Sequence, residues 1–160
     1  MASAIHAHLW YSEKAEEAAR FYASIFPHSR VDSVTTLPTD SPSGPEGSVK
    51  VVEFTLLGMK FMAMTAGPLD PFNHAISLMV ECDTQQEIDK YWNALLADGG
   101  KPEPCGWLKD KYGLSWQITP RKLIPMMQDK NHDRAKRVAD AMLKMQKLDL
   151  PALERAYNAR

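Results

Sequence analysis

The sequence predicts an α+β fold in which the order strand, helix and three strands occurs twice, the second time in a shorter form, before a helical tail. Residues 49–57 alternate between apolar and polar side chains, as a half-buried strand does. Two amphipathic helical patterns each follow a short apolar strand. The aromatic pair Tyr91–Trp92 comes 70 residues after Phe21–Tyr22, at a similar distance from its strand. This spacing indicates a weak internal repeat.

The first module is predicted to span about residues 4–66. Its helix begins at Ser12, a suitable N-cap, and ends before Pro27, which cannot continue a helix. The predicted strands are 5–11, 30–37, 49–57 and 60–65, the last two forming a hairpin that turns at Gly58. Proline, glycine and serine dominate the loop 39–47, which we interpret as mobile and able to act as a lid.

The second module is predicted over about residues 74–120. Strand 75–80 is followed by a helix. Thr84 and Glu87 form a capping box at its start, and Gly99–Gly100 ends it. A short strand near 103–108 and a final strand at 113–119 complete it. In the final strand two sets of side chains face opposite ways, Leu114, Trp116 and Ile118 toward a core and Ser115, Gln117 and Thr119 away from it.

The tail, residues 121–160, is predicted to be helical around 123–128, from 133 to 147, and again from Asp149 to near Tyr157. It carries ten Lys/Arg against five Asp/Glu. These charges are scattered along an amphipathic helix, which favours a solvated helix face over a nucleic-acid site. The apolar stripe needs a covering surface, either the body of the same chain or a partner chain; it comprises Ala135, Val138, Met142 and Met145.

Composition excludes several classes of protein. With 160 residues, 44% hydrophobic and 24% charged, the chain is neither disordered nor fibrous. It has no uninterrupted apolar stretch of about 18 residues and no basic and apolar leader at its start, so we expect a cytoplasmic protein with no membrane partner. Cys82 and Cys105 match no metal-binding spacing and are expected to be reduced thiols.

Four stretches of the chain resemble the PhnB-like branch of the vicinal oxygen chelate superfamily, which includes glyoxalase I, extradiol dioxygenases and bleomycin-resistance proteins. Members of that branch often carry the label "3-demethylubiquinone-9 3-methyltransferase domain". The resemblance implies one domain over 1–120, in which the modules curl a mostly antiparallel sheet into a cup, and a homodimer. The stretches are LWYSEKAEEAARFY at 9–22, FMAMTAGPLDPFNHAIS at 61–77, GWLKDKYGLSWQITP at 106–120 and MLKMQKLDLPALERAY at 142–157.

In metal-using relatives, histidine or glutamine and glutamate side chains converge on a divalent ion inside the cup. The last-strand carboxylate of those relatives corresponds here to Gln117, an amide. Their histidine at the start of the second module corresponds to Ala75, with His74 one residue early. On the first strand, alignment by the following helix selects Ala7, although His6 and His8 share one face.

The resemblance therefore predicts no cofactor and no metal. A functional divalent ion generally needs three or four convergent groups, with carboxylates to neutralise its charge. If a metal were bound, its best ligands would be His8, His74 and Gln117. The alternative for the histidines is a polar structural role satisfied by hydrogen bonds.

The residues predicted to line the cup are His8, Glu53, Thr55, Met62, Met64, Ser77, Met79, Ser115 and Gln117. Glu53 is the best catalytic candidate, because a desolvated carboxylate can act as a base, but at an open sheet edge it would simply be solvated. The methionines suit a pliable ligand cavity and suit core packing equally. No histidine is evident near Cys105, which argues against a nucleophile there.

Three functions remain, and whether the protein is an enzyme stays open. The favoured function is binding of a small molecule in the cup without a metal. The alternatives are a divalent-metal-dependent lyase, isomerase or dioxygenase, and a scaffold whose cup is filled by its own side chains. Methyl transfer is disfavoured, because no glycine-rich turn follows any predicted strand to admit a nucleotide-like cofactor.

Overall fold

The computed structural model describes residues 4–68 and 71–159, and the chain forms two compact units, Met1–Asp70 and Pro71–Arg160. Within the described residues each unit contains a four-stranded sheet. The α+β class and the twofold occurrence of the strand and helix order are as predicted. None of the helices in this part of the chain combines the length and the apolar character that a membrane crossing requires.

The first unit has the predicted βαβββ order. Its sheet order is β1-β4-β3-β2, with β1 parallel to β4 and the other neighbours antiparallel. One face packs against α1 and buries large side chains of β3 and β4, including Phe54 and Phe61. The elements are β1 (Ala7–Tyr11), α1 (Ala15–Ile25), β2 (Arg30–Thr36), β3 (Lys50–Leu56) and β4 (Met59–Thr65).

The start of α1 differs from its prediction. The N-cap residue is Lys14, in the left-handed region at φ 65°, and Ser12 makes no cap. The Thr65 hydroxyl instead accepts a hydrogen bond of 3.0 Å from the Ala15 N–H. A contact across 50 residues therefore satisfies a donor that local capping normally satisfies. Sequence pattern cannot reveal such a cap, because the partner lies on a distant strand.

The second unit repeats the order with shorter strands. Its sheet order is β5-β8-β7-β6, with β5 parallel to β8. The predicted capping box at Thr84 and Glu87 is confirmed. A 3₁₀ turn, Pro104–Gly106, interrupts the strand predicted near 103–108. The elements are β5 (Leu78–Cys82), α2 (Gln85–Leu96), β6 (Lys101–Pro102), β7 (Trp107–Lys109) and β8 (Ser115–Pro120).

Strand β5 begins three residues later than predicted. The Asn73 side chain accepts a 2.8 Å hydrogen bond from the Ala75 N–H. This local pairing holds the backbone in a turn before the strand. As a result His74, Ala75 and Ser77 lie outside the sheet ladder.

The tail forms α3 (Leu123–Met127), α4 (His132–Met142) and α5 (Leu150–Asn158). The predicted helix 133–147 is too long, because it ends at Met142 and the segment 143–149 is not helical. The Met145 and Gln146 carbonyls accept hydrogen bonds of 2.8 and 2.7 Å from the N–H groups of Cys105 and Gly106. Val138 and Leu148 are fully buried, and the tail belongs to the second compact unit, with α4 packed against α3 and α5.

A second anchor holds the 143–149 segment. The Gln85 side chain donates to the Leu148 carbonyl at 3.2 Å and accepts from the Leu150 N–H at 2.7 Å. The Gln85 side-chain amide thus pairs with a carbonyl and an N–H group of the same distant backbone segment, as a neighbouring strand would. The tail is therefore fixed to α2 as well as to the 3₁₀ turn.

The turn between β7 and β8 is built on the Asp110 carboxylate, which is 3% exposed. Its Oδ1 accepts hydrogen bonds from the N–H groups of Tyr112 (2.8 Å) and Leu114 (3.1 Å). Its Oδ2 accepts a 2.8 Å bond from the Trp116 indole N–H. A buried carboxylate is tolerated because these donors satisfy it.

We expect Asp110→Asn to lower the free energy of unfolding by about 2 kcal/mol, because an amide NH₂ would face the buried Trp116 indole N–H. In the double variant Asp110→Asn, Trp116→Phe the opposing donor is gone, and the cost of the asparagine should shrink. Urea unfolding of the four proteins measures this coupling. Strictly additive effects would contradict the assigned hydrogen bond.

We expect Gly106→Ala to destabilise the protein more than Gly113→Ala does. Both glycines have positive φ, 84° and 86°. A Cβ at Gly106 would meet the Leu148 Cδ1 at 2.9 Å and the Ile118 carbonyl at 3.0 Å, whereas one at Gly113 meets nothing within 4 Å.

The loss in free energy of unfolding for Gly113→Ala therefore reflects backbone strain alone, about 1–2 kcal/mol. Gly106→Ala adds an overpacking cost of about 1–3 kcal/mol against the tail. Equal thermal shifts for the two variants would show that the 143–149 segment does not pack closely on Gly106.

Candidate functional site

The first unit carries a row of predicted site residues across the face of its sheet that α1 does not cover, which we call the distal face. Met62 on β4 pairs with His8 on β1 and with Glu53 on β3. The sheet register therefore places these three side chains side by side. It also assigns His8 to the distal face and Ala7 to the helix-facing side, where Ala7 pairs with the buried Phe61. His6 precedes β1 and lies outside the paired residues.

A cavity of about 240 Å³ lies on the first unit at this row. Its lining includes two of the predicted residues, Glu53 and Met62. Charged groups that were not predicted from the sequence make up much of the rest. The full lining is His6, Arg30, Asp32, Glu53, Phe54, Lys60, Phe61 and Met62.

One side of this cavity is a charged network around Asp32. The Thr55 hydroxyl donates a 2.6 Å hydrogen bond to Asp32 Oδ2, and the Arg30 Nε lies 2.6 Å from Asp32 Oδ1. The hydrogen bond from Thr55 lowers the pKa of Asp32, burial opposes it, and the Arg30 charge lowers the pKa further. Asp32 therefore stays ionised, and its charge is largely matched by Arg30.

Two charged side chains of the cavity are left without such partners. Among the described residues, neither the Glu53 carboxylate nor the Lys60 ammonium takes part in a hydrogen bond or salt bridge. Glu53 lies on β3, an interior strand of the sheet, yet its side chain is exposed. The desolvation that a catalytic base at Glu53 requires is thus not provided by the strand itself.

Of the remaining predicted residues in this unit, Thr55 is buried and committed to Asp32, and Met64 lies further along the distal face, paired with Trp10 and Val51. Met62 and Met64 are both partly exposed, so neither is a core residue. Of the two, Met62 lines the cavity and Met64 does not.

The second unit has an equivalent row on the sheet face away from α2. Gln117 on β8 pairs with Met79 on β5 and with Trp107 on β7. The Gln117 amide donates a 2.9 Å hydrogen bond to the Ser77 hydroxyl. Ser115 is fully buried, and its hydroxyl has no hydrogen-bond partner within the described residues.

Beside this row His74 contacts Glu103, which was not predicted as a site residue. The His74 Nε2 lies 3.1 and 2.9 Å from the two carboxylate oxygens of Glu103. The His74 and Trp107 rings are 6.0 Å apart at an angle of 50°. An open cavity of about 390 Å³ is lined by His74, Glu103, Pro104 and Trp107.

The donor set does not fit a divalent metal ion. Of the candidate ligands, His74 is engaged by Glu103 and Gln117 by Ser77. Within residues 4–68 and 71–159, no three His, Cys, Asp or Glu side chains are gathered as a metal site would need.

The cysteines differ in environment. Burial raises the pKa of the Cys82 thiol to about 12, so this thiol stays protonated and chemically inert. Cys105 is half-buried with a positive φ of 61°, and its N–H is bound by the tail. Its role in the structure is to hold the 3₁₀ turn.

The site residues that were not predicted differ in whether the sequence could have indicated them. Lys60 alternates with Met62 and Met64 on one strand, so its face could have been read from the sequence. Asp32 reaches Thr55 through a register shift between Val31 and Ser33, which no pattern signals. Glu103 meets His74 through the 3₁₀ turn and the turn before β5, both irregular.

The two βαβββ units define a protein of the vicinal oxygen chelate fold, and comparisons with known proteins agree. The model of the 3-demethylubiquinone-9 3-methyltransferase family matches residues 3–119. A PhnB protein from Bacillus cereus is 36% identical, with 74% of this chain and 99% of that chain covered and a TM-score of 0.61. The chain belongs to this PhnB-like family, as the sequence stretches predicted.

More distant structures share the fold alone. The fosfomycin resistance protein FosX from Mesorhizobium loti is 13% identical, with 81% of this chain and 99% of that chain covered and a TM-score of 0.57. Protein PA1353 from Pseudomonas aeruginosa is 17% identical over 74% and 98% of the chains, with a TM-score of 0.60. The comparison with curated proteins found no match.

We expect Thr55→Val to raise the pKa of Asp32 toward its ordinary value of 3.8, because the largest cause of its lowering is the Thr55 hydrogen bond. Titration of the Asp32 carboxyl by NMR measures the change. A carboxyl group whose pKa is lowered on folding stabilises the protein at pH values above its ordinary pKa. This stability is lost as the pH falls through the folded-state pKa. The wild type should therefore lose more stability than Thr55→Val on acidification below about pH 4.

Thr36→Val is the matched control, because Thr36 is exposed on β2 outside the Asp32 network. It should leave the Asp32 titration unchanged. An Asp32 pKa that is the same in Thr55→Val and in the wild type would contradict the assignment of the hydroxyl as the main cause.

Proposed function

We propose that this protein binds a small polar molecule, without a metal, on the distal face of its first sheet. The observation that supports the proposal most directly is the 240 Å³ cavity in which neither the Glu53 carboxylate nor the Lys60 ammonium forms a hydrogen bond or salt bridge among the described residues. The Lys60 charge acts on Asp32 only at longer range, where it lowers the pKa of that carboxyl. Charged groups that a folded chain leaves unpaired in a concavity are available to a ligand.

The positions of these two groups indicate the ligand class. Glu53 pairs with Met62, and Lys60 stands two residues before Met62 on the same strand. Glu53 and Lys60 are therefore diagonal neighbours, about 7–8 Å apart at the backbone. A short molecule with a cationic group at one end and an anionic group at the other complements both. The site accordingly suits a small zwitterion.

The other groups that line the cavity also favour a small zwitterionic ligand. Arg30 pairs with Asp32 at 2.6 Å and offsets most of its charge, while the more distant Lys60 charge also lowers the pKa of Asp32. The Arg30–Asp32 pair therefore adds little net charge at the cavity. Met62 offers an apolar surface that can follow the carbon chain of a ligand between its two charged ends. The cavity is somewhat below the size of drug-sized sites, about 300 Å³ and more, which favours a ligand of few atoms.

Methyl transfer, the activity in the family description, is not part of this proposal. The connections from β1 to α1 and from β5 to α2 are Ser12–Lys14 and Asp83–Thr84, without glycine. A nucleotide-like methyl donor usually needs a glycine-rich turn at such a point for close backbone approach. A metal-dependent lyase, isomerase or dioxygenase is also not favoured, because two of the three candidate ligands, His74 and Gln117, are engaged by Glu103 and Ser77.

The test uses four zwitterions of increasing length as probes, glycine, β-alanine, γ-aminobutyrate and 5-aminovalerate, titrated into ¹⁵N-labelled protein. We expect saturable amide shifts on β3 and β4 for at least one probe. Glu53→Gln and Lys60→Met should each weaken that binding about tenfold, because each removes a charged partner.

Glu46→Gln and Lys130→Met are the matched controls, since both side chains are exposed outside the cavity. They should leave the affinity unchanged. The proposal fails if none of the four probes saturates, or if the cavity variants bind as tightly as the controls.

A further inference from the structure

We propose that the second unit carries a separate binding site for a flat aromatic molecule bearing a hydroxyl group, formed by Trp107, His74, Glu103 and Pro104. These residues line the open cavity of about 390 Å³ on the second unit. The proposal does not rest on the zwitterion site, because it involves a different cavity and different residues.

The aromatic selectivity comes from Trp107. It is half-buried on β7, and its backbone is paired with Gln117 of β8. The His74 ring stands 6.0 Å away and is tilted by 50° from the indole plane. Two tilted rings on one cavity wall let a flat ligand stack on one ring and meet the other with its edge. Pro104 adds a rigid apolar surface at the same wall.

The hydroxyl preference comes from the way Glu103 holds His74. Both carboxylate oxygens lie within 3.1 Å of Nε2. Because a carboxylate accepts hydrogen bonds, Nε2 carries the proton, and the ring is held in one orientation. The Nδ1 atom is then the nitrogen left for a ligand. A hydroxyl can both accept and donate, so it pairs with Nδ1 whichever protonation state the ring has.

Cations and anions are poorer ligands here. The Glu103 carboxylate is already bound to His74, so it offers little attraction to a cation. The other lining groups, Trp107 and Pro104, carry no charge. A volume of about 390 Å³ lies within the usual range for small-molecule sites. The cavity therefore accommodates an aromatic ring with one polar substituent.

The test compares p-cresol with 4-methylanisole, which has the same ring but a methyl ether in place of the hydroxyl. Each is titrated into the ¹⁵N-labelled full chain, and the Trp107 indole N–H signal is followed. We expect p-cresol to shift this signal saturably and to bind more tightly than the ether. Trp107→Ala should weaken p-cresol binding, measured by calorimetry, about tenfold.

His74→Ala separates the hydrogen bond from stacking. It should weaken p-cresol about threefold to tenfold and change 4-methylanisole much less, because an ether cannot donate. His28→Ala, a change of an exposed histidine in the first unit, is the matched control and should change neither. Lys60→Met should also leave p-cresol binding intact, which separates this site from the zwitterion site.

Two results would overturn the proposal. One is a p-cresol titration that shifts the Trp107 signal no more than those of Trp10, Trp92 and Trp116. The other is a His74→Ala variant that weakens the cresol and the ether equally, because the hydroxyl would then not be recognised by His74. Since His74 is exposed, loss of folding is not expected, and the thermal midpoint of the variant checks this.

Discussion

The second unit depends on the buried Asp110 carboxylate. It satisfies two backbone N–H groups of the turn and the indole N–H of Trp116, and so holds β7 against β8. Strand β8 in turn pairs with β5, and its Trp116 and Ile118 side chains form the core. A carboxylate with this set of donors specifies one turn geometry, because any other arrangement would leave buried polar groups unpaired.

The two sheets share a topology but carry different chemistry at equivalent positions. Met62 and Gln117 occupy the same place in their sheets, each on the strand parallel to the first strand of its unit. Their neighbours differ, Glu53 beside Met62 and Trp107 beside Gln117. One repeated fold therefore presents a charged row in the first unit and an aromatic, amide-bearing row in the second. This divergence is why we propose two ligand classes rather than one.

Much of this fold could be predicted from the sequence, because alternation and helical periodicity report which face of an element is buried. The site could be predicted only in part. The faces of Glu53, Met62 and Gln117 followed from alternation, whereas Asp32 depends on a bulge and Glu103 on a 3₁₀ turn. The cap of α1 depends on Thr65, a contact distant in sequence. Patterns within short windows hold no information about such partners.

The tail holds in place the 3₁₀ turn beside the open cavity that His74, Glu103, Pro104 and Trp107 line. Glu103 and Trp107 flank the 3₁₀ turn, and the Glu103 N–H donates to the Trp107 carbonyl at 2.9 Å. The turn itself is held by the carbonyls of Met145 and Gln146 and by close packing of Gly106 on Leu148. Because these backbone contacts fix both ends of the turn, the tail sets the position of the carboxylate that orients His74. The helical extension thus contributes to the geometry of the site without lining it.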